Sequence, residues 1–192
     1  MMKFLKHSGI ISGMIFISIL LFLSGCSQEN LTPYPFKEGD YFIYQDTDPD
    51  YGVTTTREFR IEKDGSGFIV RRFQTARNSM GGESTARIKN SEKIYDKYGR
   101  LQKLADGRGA GNCKDNFCFL WLRPEKRRFG IDIKVSEIAK PVPVKESTMR
   151  DNREVLVVAF HNSIYYYDRK TGLLVERKAY GKLIDTNRND LL

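Results

Sequence analysis

The residue types of a catalytic triad occur close together near the end of the chain, as His161, Ser163 and Asp168. A triad needs a histidine base that hydrogen-bonds both to the nucleophile and to an orienting carboxylate. His161 follows Phe160 at the end of a predicted strand, and the other two residues come soon after it in the chain, so we expect strand neighbours rather than members of converging loops. The sequence also has no Gly-x-Ser-x-Gly elbow. It therefore predicts a turn histidine, and we expect no enzyme.

Three aspartates alternate in the segment Asp46–Gly52, and hard cations such as Ca²⁺ prefer oxygen ligands at alternating positions. The segment departs from a calcium-binding loop because Pro49 intrudes, the glycine comes one position late and the twelfth position is Arg57. Aspartate, proline and glycine are also common turn residues. The sequence favours a polar hairpin loop, and we expect neither a metal nor a cofactor.

The N-terminal segment has the regions of a bacterial export signal. Lys3 and Lys6 give it a basic start, and no acid precedes Glu29. The apolar run that follows, from Ile10 to Leu23, is short for a membrane-spanning helix, which needs about 20 residues. The run ends in the sequence Leu23-Ser24-Gly25-Cys26.

That sequence resembles the lipobox of bacterial lipoproteins, which are cut by signal peptidase II. The resemblance implies that Cys26 receives a diacylglyceryl thioether and becomes the acylated mature N-terminus. An uncleaved anchor with a chance cysteine is the alternative, and it too leaves the protein on a membrane, facing outward. Aspartate after the cysteine signals inner-membrane retention in Gram-negative lipoproteins. Ser27 stands there, which implies the outer membrane, facing the periplasm; a Gram-positive host implies the outer face of the plasma membrane.

Two cysteines remain if Cys26 is acylated, namely Cys113 and Cys118. In the oxidising compartment that the lipoprotein resemblance implies, an even number of cysteines predicts a disulfide. Free thiols and a metal or redox site are the alternatives. A zinc site lacks partners because His161 is the one histidine after Cys26, and the spacing is not Cys-x-x-Cys.

The segment Arg123–Arg128 is the densest basic cluster in the chain. It lies between two predicted strands, so we expect an exposed hairpin. Its basic residues could contact an anionic surface, where each Lys or Arg contributes about 1 kcal/mol. These residues are Arg123, Lys126, Arg127 and Arg128. A solvated turn without a partner is the alternative, and nucleic acid is not expected in this compartment.

The chain has 192 residues, 40% of them hydrophobic and 29% charged, with a net charge of +8, which is typical of a folded protein. Helical periodicity is confined to Val135–Lys140. Elsewhere, short runs of β-branched and aromatic residues alternate with turn residues. The predicted strands are residues 40–44, 54–61, 67–74, 117–122, 129–135, 155–160 and 173–180. Two of them, Phe117–Leu122 and Val155–Phe160, are apolar on both faces, which predicts central, fully covered strands.

Turn chemistry separates these runs at Lys63–Gly67, Tyr95–Gly99 and Asp168–Gly172. The predicted fold is mainly β, an antiparallel meander curled into a sandwich, half-barrel or small barrel, with little helix after the signal peptide. The predicted domains are a signal peptide (1–25), the acylated cysteine with a short tether (26–36) and one β-rich domain (37–192).

Two segments, Phe36–Phe42 and Tyr165–Val175, resemble those of uncharacterised envelope lipoproteins with β-sheet bodies, a resemblance that implies no activity. We expect a non-catalytic body that binds an envelope partner. A half-barrel carrier of a lipid or other hydrophobic ligand is the first alternative, and an envelope enzyme is the second. An apolar cavity above about 300 Å³ would favour the carrier, whereas a solid core would favour the partner-binding body.

Overall fold

The computed structural model describes residues 31–78, 88–104, 118–128, 130–133, 142–160, 163–178 and 180–192. Contacts divide the chain into two units, Met1–Leu31 and Thr32–Leu192, and the fold below is that of the second. Within the described ranges, the regular structure consists of β-strands and short 3-10 turns, without an α-helix.

Eleven strands form one antiparallel sheet in the part of the chain that the structure describes. The strands are β1 (Tyr41–Asp48), β2 (Val53–Asp64), β3 (Gly67–Asn78), β4 (Ile88–Tyr95), β5 (Leu101–Lys103), β6 (Asp132–Ile133), β7 (Val142–Arg150), β8 (Arg153–Phe160), β9 (Ser163–Asp168), β10 (Leu174–Arg177) and β11 (Gly181–Thr186).

The sheet consists of two meanders that are joined through the first and last strands. Its order is β5-β4-β3-β2-β1-β11-β10-β9-β8-β7-β6. The pairing of β1 with β11 runs from Phe42 opposite Thr186 to Gln45 opposite Lys182. The prediction of a mainly β, antiparallel meander is confirmed. The end strands β5 and β6 do not pair with each other, so the sheet is open and the small closed barrel is excluded.

The predicted turns are present, and aspartate side chains hold them. Residues 65 and 66 connect β2 to β3, and Gly65 has a φ of +55°, as a tight hairpin requires. Asp96 Oδ1 accepts hydrogen bonds from the backbone N–H groups of Tyr98 and Arg100, both at 2.9 Å. The β7–β8 hairpin, which the sequence analysis missed, turns through Asp151 and Asn152, both with positive φ.

One face of the sheet carries the core, as the two-residue period of a strand requires. Cross-strand partners share this face, for example Phe42 with Phe59 and Ile61 with Val70, and all four are buried. Val155–Phe160 forms β8, between β7 and β9, which confirms its central position. We call this face the inner face.

The predicted strand Phe117–Leu122 is wrong. Phe117 lies outside the described residues, and residues 118–122 form an irregular segment whose one ladder contact is a bridge from Trp121 to Leu173. Cys118, Leu120, Trp121 and Leu122 are nevertheless buried. An apolar run does not distinguish a covered strand from a buried irregular segment. Here the run lies against the inner face, and we call residues 118–122 the plug.

Backbone hydrogen bonds fix the plug between the two meanders. The N–H of Cys118 donates to Gly99 O at 2.9 Å, at the turn that precedes β5. The N–H of Leu122 donates to Gly172 O at 2.7 Å, in the β9–β10 turn. Tyr167 Oη, on β9, donates to Phe119 O at 2.9 Å. The two halves of the sheet therefore curl around one central segment.

The predicted strand Phe129–Val135 begins later than expected. Gly130 has a φ of +71° and lies in a turn, and the strand within the described residues is Asp132–Ile133. Phe129, the residues after Ile133 and the predicted helical turn Val135–Lys140 lie outside the described residues.

The folded body begins earlier than the predicted boundary at residue 37. Tyr34, assigned to the tether, is buried, and its Oη donates to Cys118 O at 2.7 Å. Thr32 Oγ1 donates to Glu125 Oε2 at 2.9 Å. Aromatic packing explains the difference, since the Tyr34 ring lies 4.9 Å from that of Trp121.

A buried ion pair links the two ends of this body. Arg188 Nη1 lies 2.6 Å from Asp40 Oδ2, and both side chains are buried. The same nitrogen donates to Pro35 O at 2.6 Å. The guanidinium also makes two hydrogen bonds to the carboxylate of Asp190, at 2.7 and 2.8 Å.

Candidate functional site

The triad residue types do not converge in the described residues. His161 lies outside them. Ser163 and Asp168 are at opposite ends of β9. Asp168 Oδ1 accepts hydrogen bonds from the N–H and Oγ1 of Thr171, at 2.7 and 3.0 Å, so its carboxylate holds the β9–β10 turn.

The aspartates of Asp46–Gly52 hold a hairpin turn. Asp48 Oδ1 accepts hydrogen bonds from the N–H groups of Asp50 and Tyr51, at 3.0 and 3.2 Å. Across the described ranges, no three His, Cys, Asp or Glu side chains lie close enough together to hold a metal ion.

Only one of the three cysteines is within the described residues. Cys26, the proposed lipid attachment site, and Cys113 lie outside them. Cys118 has a free thiol in the plug, and burial raises its pKa to about 12, so the thiol is protonated at neutral pH. The Cys113–Cys118 disulfide stays a prediction.

The basic segment Arg123–Arg128 is not the exposed hairpin that we expected. Pro124–Lys126 forms a 3-10 turn, and Arg123 is only 3% exposed. Arg127 donates to the carbonyl oxygens of Leu122 and Lys170, at 2.8 and 2.5 Å, and stacks on the Trp121 ring.

The segment docks onto the plug and the β9–β10 turn, which bury Arg123 and hold the partly exposed Arg127 through its hydrogen bonds. Arg128 is exposed and Lys126 is partly exposed. Contact with an anionic surface stays a prediction for those two.

A different set of basic residues meets on the inner face. We call Arg57, Arg72, Arg177 and Tyr180 the arginine–tyrosine cluster. The register places each arginine on the core side, since Arg57 lies opposite Tyr44 and Arg72 lies opposite Phe59.

The third arginine comes from the other meander. Arg177 lies opposite the buried Tyr165 on β9, and Tyr180 follows in the turn to β11. The curl of the sheet is what brings β2, β3 and β10 together here.

The three guanidinium groups surround one tyrosine ring. Arg177 Cζ lies 3.9 Å from the centre of the Tyr180 ring, and Arg57 Cζ lies 5.3 Å from it. Arg72 Nη1 donates to Tyr180 Oη at 3.3 Å. Arg177 Cζ is also 4.6 Å from the ring of Tyr165. These contacts are of the cation–π type, which stabilises a guanidinium over an aromatic face.

The cluster has an unbalanced positive charge. Burial lowers the pKa of Arg57, the nearby charges of Arg72 and Arg177 act in the same direction, and Asp46 and Tyr180 partly offset them. Among the residues that the structure describes, no carboxylate lies within 4.0 Å of the three guanidinium groups.

Each arginine of the cluster also has a buried nitrogen that makes no hydrogen bond within the protein. These atoms are Arg57 Nη1, Arg72 Nε and Arg177 Nε. A buried donor without a partner costs about 1–3 kcal/mol, and more when it is charged. Buried, convergent and unpaired guanidinium groups are suited to binding an anion.

Sequence reasoning missed this cluster, although a signal was present. Arg57 precedes Phe59 by two positions and Arg72 follows Val70 by two positions, so each is in phase with the core residues of its strand. A charged residue at an inward position is uncommon and indicates a special role.

A separate open cavity of about 360 Å³ lies where β7, β8, β10 and β11 meet the C-terminal residues. Glu176 lies opposite Tyr166, which points away from the core, so the cavity is on the outer face. Half of its twelve lining residues are charged, and Val175, Leu183, Ile184 and Leu192 add apolar surface; the charged residues are Arg150, Asp151, Arg153, Glu176, Lys182 and Asp185.

No helix in the described part of the chain has the length and apolar character to span a membrane. No protein-family model matches the chain, and comparisons with curated proteins and with solved structures find no match either.

Proposed function

We propose that the protein is a lipoprotein of the bacterial cell envelope, anchored through an acylated Cys26, whose β-sheet body binds an envelope partner and performs no catalysis. The anchor proposal is supported by the basic start, the short apolar run and the lipobox-like Leu23-Ser24-Gly25-Cys26. The absence of aspartate at position 27 favours the outer membrane, facing the periplasm.

The observation that carries the partner-binding body is the filled inner face. Leu120 is fully buried there, and the ring of Phe119 lies 5.4 Å from that of Phe59 and 5.5 Å from that of Tyr180. A carrier needs an apolar cavity for its ligand. The plug occupies the place on the inner face that such a ligand would need, and half of the residues that line the open cavity on the outer face are charged. Both observations favour a binding body over a hydrophobe carrier.

Metabolic labelling with an alkyne fatty acid tests the anchor. We expect label on the wild-type chain, none on Cys26→Ala and full label on the control variant Cys113→Ala. Equal labelling of wild type and Cys26→Ala would contradict the acylation of Cys26.

Crosslinking in intact envelopes tests the partner. We expect a discrete crosslinked product with one envelope protein, competed by excess uncrosslinked chain and diminished for Cys26→Ala. Recovery of stoichiometric lipid with the purified chain, and no protein product, would overturn the partner-binding proposal in favour of the carrier.

A further inference from the structure

We propose that the arginine–tyrosine cluster, Arg57, Arg72, Arg177 and Tyr180, binds a phosphoryl oxyanion. The anion is either free phosphate or the phosphomonoester of a lipid headgroup, since both carry more than one negative charge at neutral pH. The site depends on no residue of the lipid anchor and is distinct from the basic segment Arg123–Arg128.

The stacking of the guanidinium groups leaves their edges available. Arg177 has Tyr180 on its plane at 3.9 Å and Tyr165 at 4.6 Å, so aromatic rings cover its faces. Guanidinium N–H bonds lie in the plane of the group and point away from such rings. Arg177 Nη2 donates to Ser163 Oγ at 3.5 Å, whereas Arg177 Nε has no partner among the described residues, so part of the edge remains available.

Three of the guanidinium donors lack partners. Arg57 Nη1, Arg72 Nε and Arg177 Nε are buried and make no hydrogen bond to the residues that the structure describes. The tetrahedral phosphoryl group has several acceptor oxygens, and arginine is the side chain best suited to bind them in pairs. One phosphoryl group can accept from three separate arginines, whereas a carboxylate has only two oxygens.

The charge of the cluster favours a dianion. The three positive charges come from β2, β3 and β10, and Asp46 is the acid whose charge acts on Arg57. Its carboxylate is not within ion-pair distance of the cluster in the described structure. A phosphoryl group carries close to two negative charges at neutral pH, so it offsets the repulsion among the arginines better than one carboxylate does.

The cluster is also accessible. Arg57, Arg72, Arg177 and Tyr180 are each partly exposed, in contrast to the fully buried Phe42 and Tyr44 on the same face. Solvent reaches part of each side chain, whereas the three unpartnered nitrogens are buried, so an anion binds them after a small rotation of the guanidinium groups towards solvent. Ser163 Oγ, 3.5 Å from Arg177 Nη2, lies at the margin of the site.

The test is a titration of the full chain in a nonionic detergent, followed by thermal unfolding and calorimetry. Inorganic phosphate is added at constant ionic strength, balanced with chloride. A ligand that binds only the folded state raises Tm as its concentration exceeds Kd. We expect a saturable rise in Tm for the wild-type chain. A parallel arm replaces phosphate with short-chain phosphatidic acid in the micelle; tighter binding in that arm identifies a lipid headgroup as the source.

The decisive variants are Arg72→Gln and Arg177→Gln, with Arg60→Gln as the matched control. Arg60 lies on β2 next to Phe59, is exposed and points to the outer face. We expect each cluster variant to bind phosphate at least about tenfold more weakly, because a charge-assisted pair of hydrogen bonds is lost. Arg60→Gln should bind as the wild type does.

The unfolding temperature without phosphate separates this proposal from a structural role. If the cluster is an anion site, each Gln variant removes one of three mutually repelling charges. In phosphate-free buffer, the Tm of each variant should therefore be equal to or above that of the wild type. The conservative variant Arg72→Lys, which keeps the charge and loses the planar fork, should bind with intermediate affinity. The proposal is overturned if the wild type shows no saturable shift, or if the shift persists unchanged in Arg72→Gln.

Discussion

At the scale of single residues, the buried ion pair of Arg188 with Asp40 is expected to contribute strongly to stability. Both side chains are buried and 2.6 Å apart. Removing one partner leaves the other charge buried without compensation, which costs about 3–5 kcal/mol. We therefore expect Arg188→Ala to lower the free energy of unfolding in urea by about that amount.

The control for this variant is Lys182→Ala. Lys182 makes an exposed ion pair with Asp151 at 3.1 Å, and such pairs contribute at most about 1 kcal/mol. Equal losses for the two variants would show that the burial of the Arg188–Asp40 pair is not what makes it important.

Asp190 makes stability depend on pH in the acid range. Its hydrogen bonds to Arg188, together with the charge of that residue, lower its pKa from 3.8 to about 2. Because the pKa is lower in the folded state, the stabilisation is complete above pH 3.8 and is lost as the pH falls through about 2. The carboxylate is exposed, so the effect should weaken with salt.

Unfolding measured at low salt for wild type and Asp190→Asn gives the test. The difference in stability between them should be constant above about pH 5 and should shrink towards pH 2. Curves that stay parallel over this range would contradict the assigned role of Asp190.

The residue scale also shows what the sequence could reveal. The sequence can reveal aspartates that hold turns, because their partners are local. Each accepts hydrogen bonds from backbone N–H groups two to four positions later in the chain, as Asp48, Asp96 and Asp168 do. The arginine–tyrosine cluster joins residues from both meanders. It arises from the curl of the sheet, which no local pattern specifies.

At the scale of elements, the docking of the plug onto the β9–β10 turn depends on Gly172. Its φ is +77°, and a Cβ there would lie 2.1 Å from Leu122 O. We expect Gly172→Ala to destabilise the protein by more than about 2 kcal/mol, since backbone strain and the clash add.

Gly65→Ala is the matched control, because it separates the strain of a positive φ from the loss of the contact between Gly172 and the plug. Gly65 also has a positive φ, +55°, but a Cβ there would meet nothing within 4 Å. Its cost should be limited to the strain of the left-handed conformation, about 1–2 kcal/mol. If chemical denaturation gives the same loss for both variants, the close approach of the plug to Gly172 does not contribute.

The elements themselves were largely predictable where turn residues separate alternating runs. The β2–β3 hairpin follows from the glycines that flank Ser66, and β8 follows from its apolar run. The plug was not predictable, because Phe117–Leu122 is apolar at every position and periodicity is then uninformative.

At the scale of the whole molecule, the sheet is held together by the pairing of its first and last strands. β1 and β11 are more than 130 residues apart in the chain, and a hairpin rule cannot join them. The sequence predicted an antiparallel meander of hairpins, whereas the pairing of β1 with β11, which divides it into two meanders, is visible only in the structure. This pairing places the core, the plug and the arginine–tyrosine cluster on one inner face.

The same view separates the two parts of the proposed function. The proposed binding body, Thr32–Leu192, has an inner face filled by the plug and an open cavity of mixed charged and apolar lining on its outer face. The anchor depends on the first 26 residues alone. If the acylation of Cys26 is disproved, the proposal of a phosphoryl site is unaffected. If phosphate does not bind the arginine–tyrosine cluster, the proposal of a lipid anchor is likewise unaffected.

Intact-mass and peptide mass spectrometry of the chain purified from its native membrane tests the central proposal most directly. We predict a mature chain that lacks residues 1–25 and begins at Cys26, with a mass increase equal to a diacylglyceryl group and any further acyl chain. An N-terminal peptide that retains Met1 or Met2 through an unmodified Cys26 would contradict it.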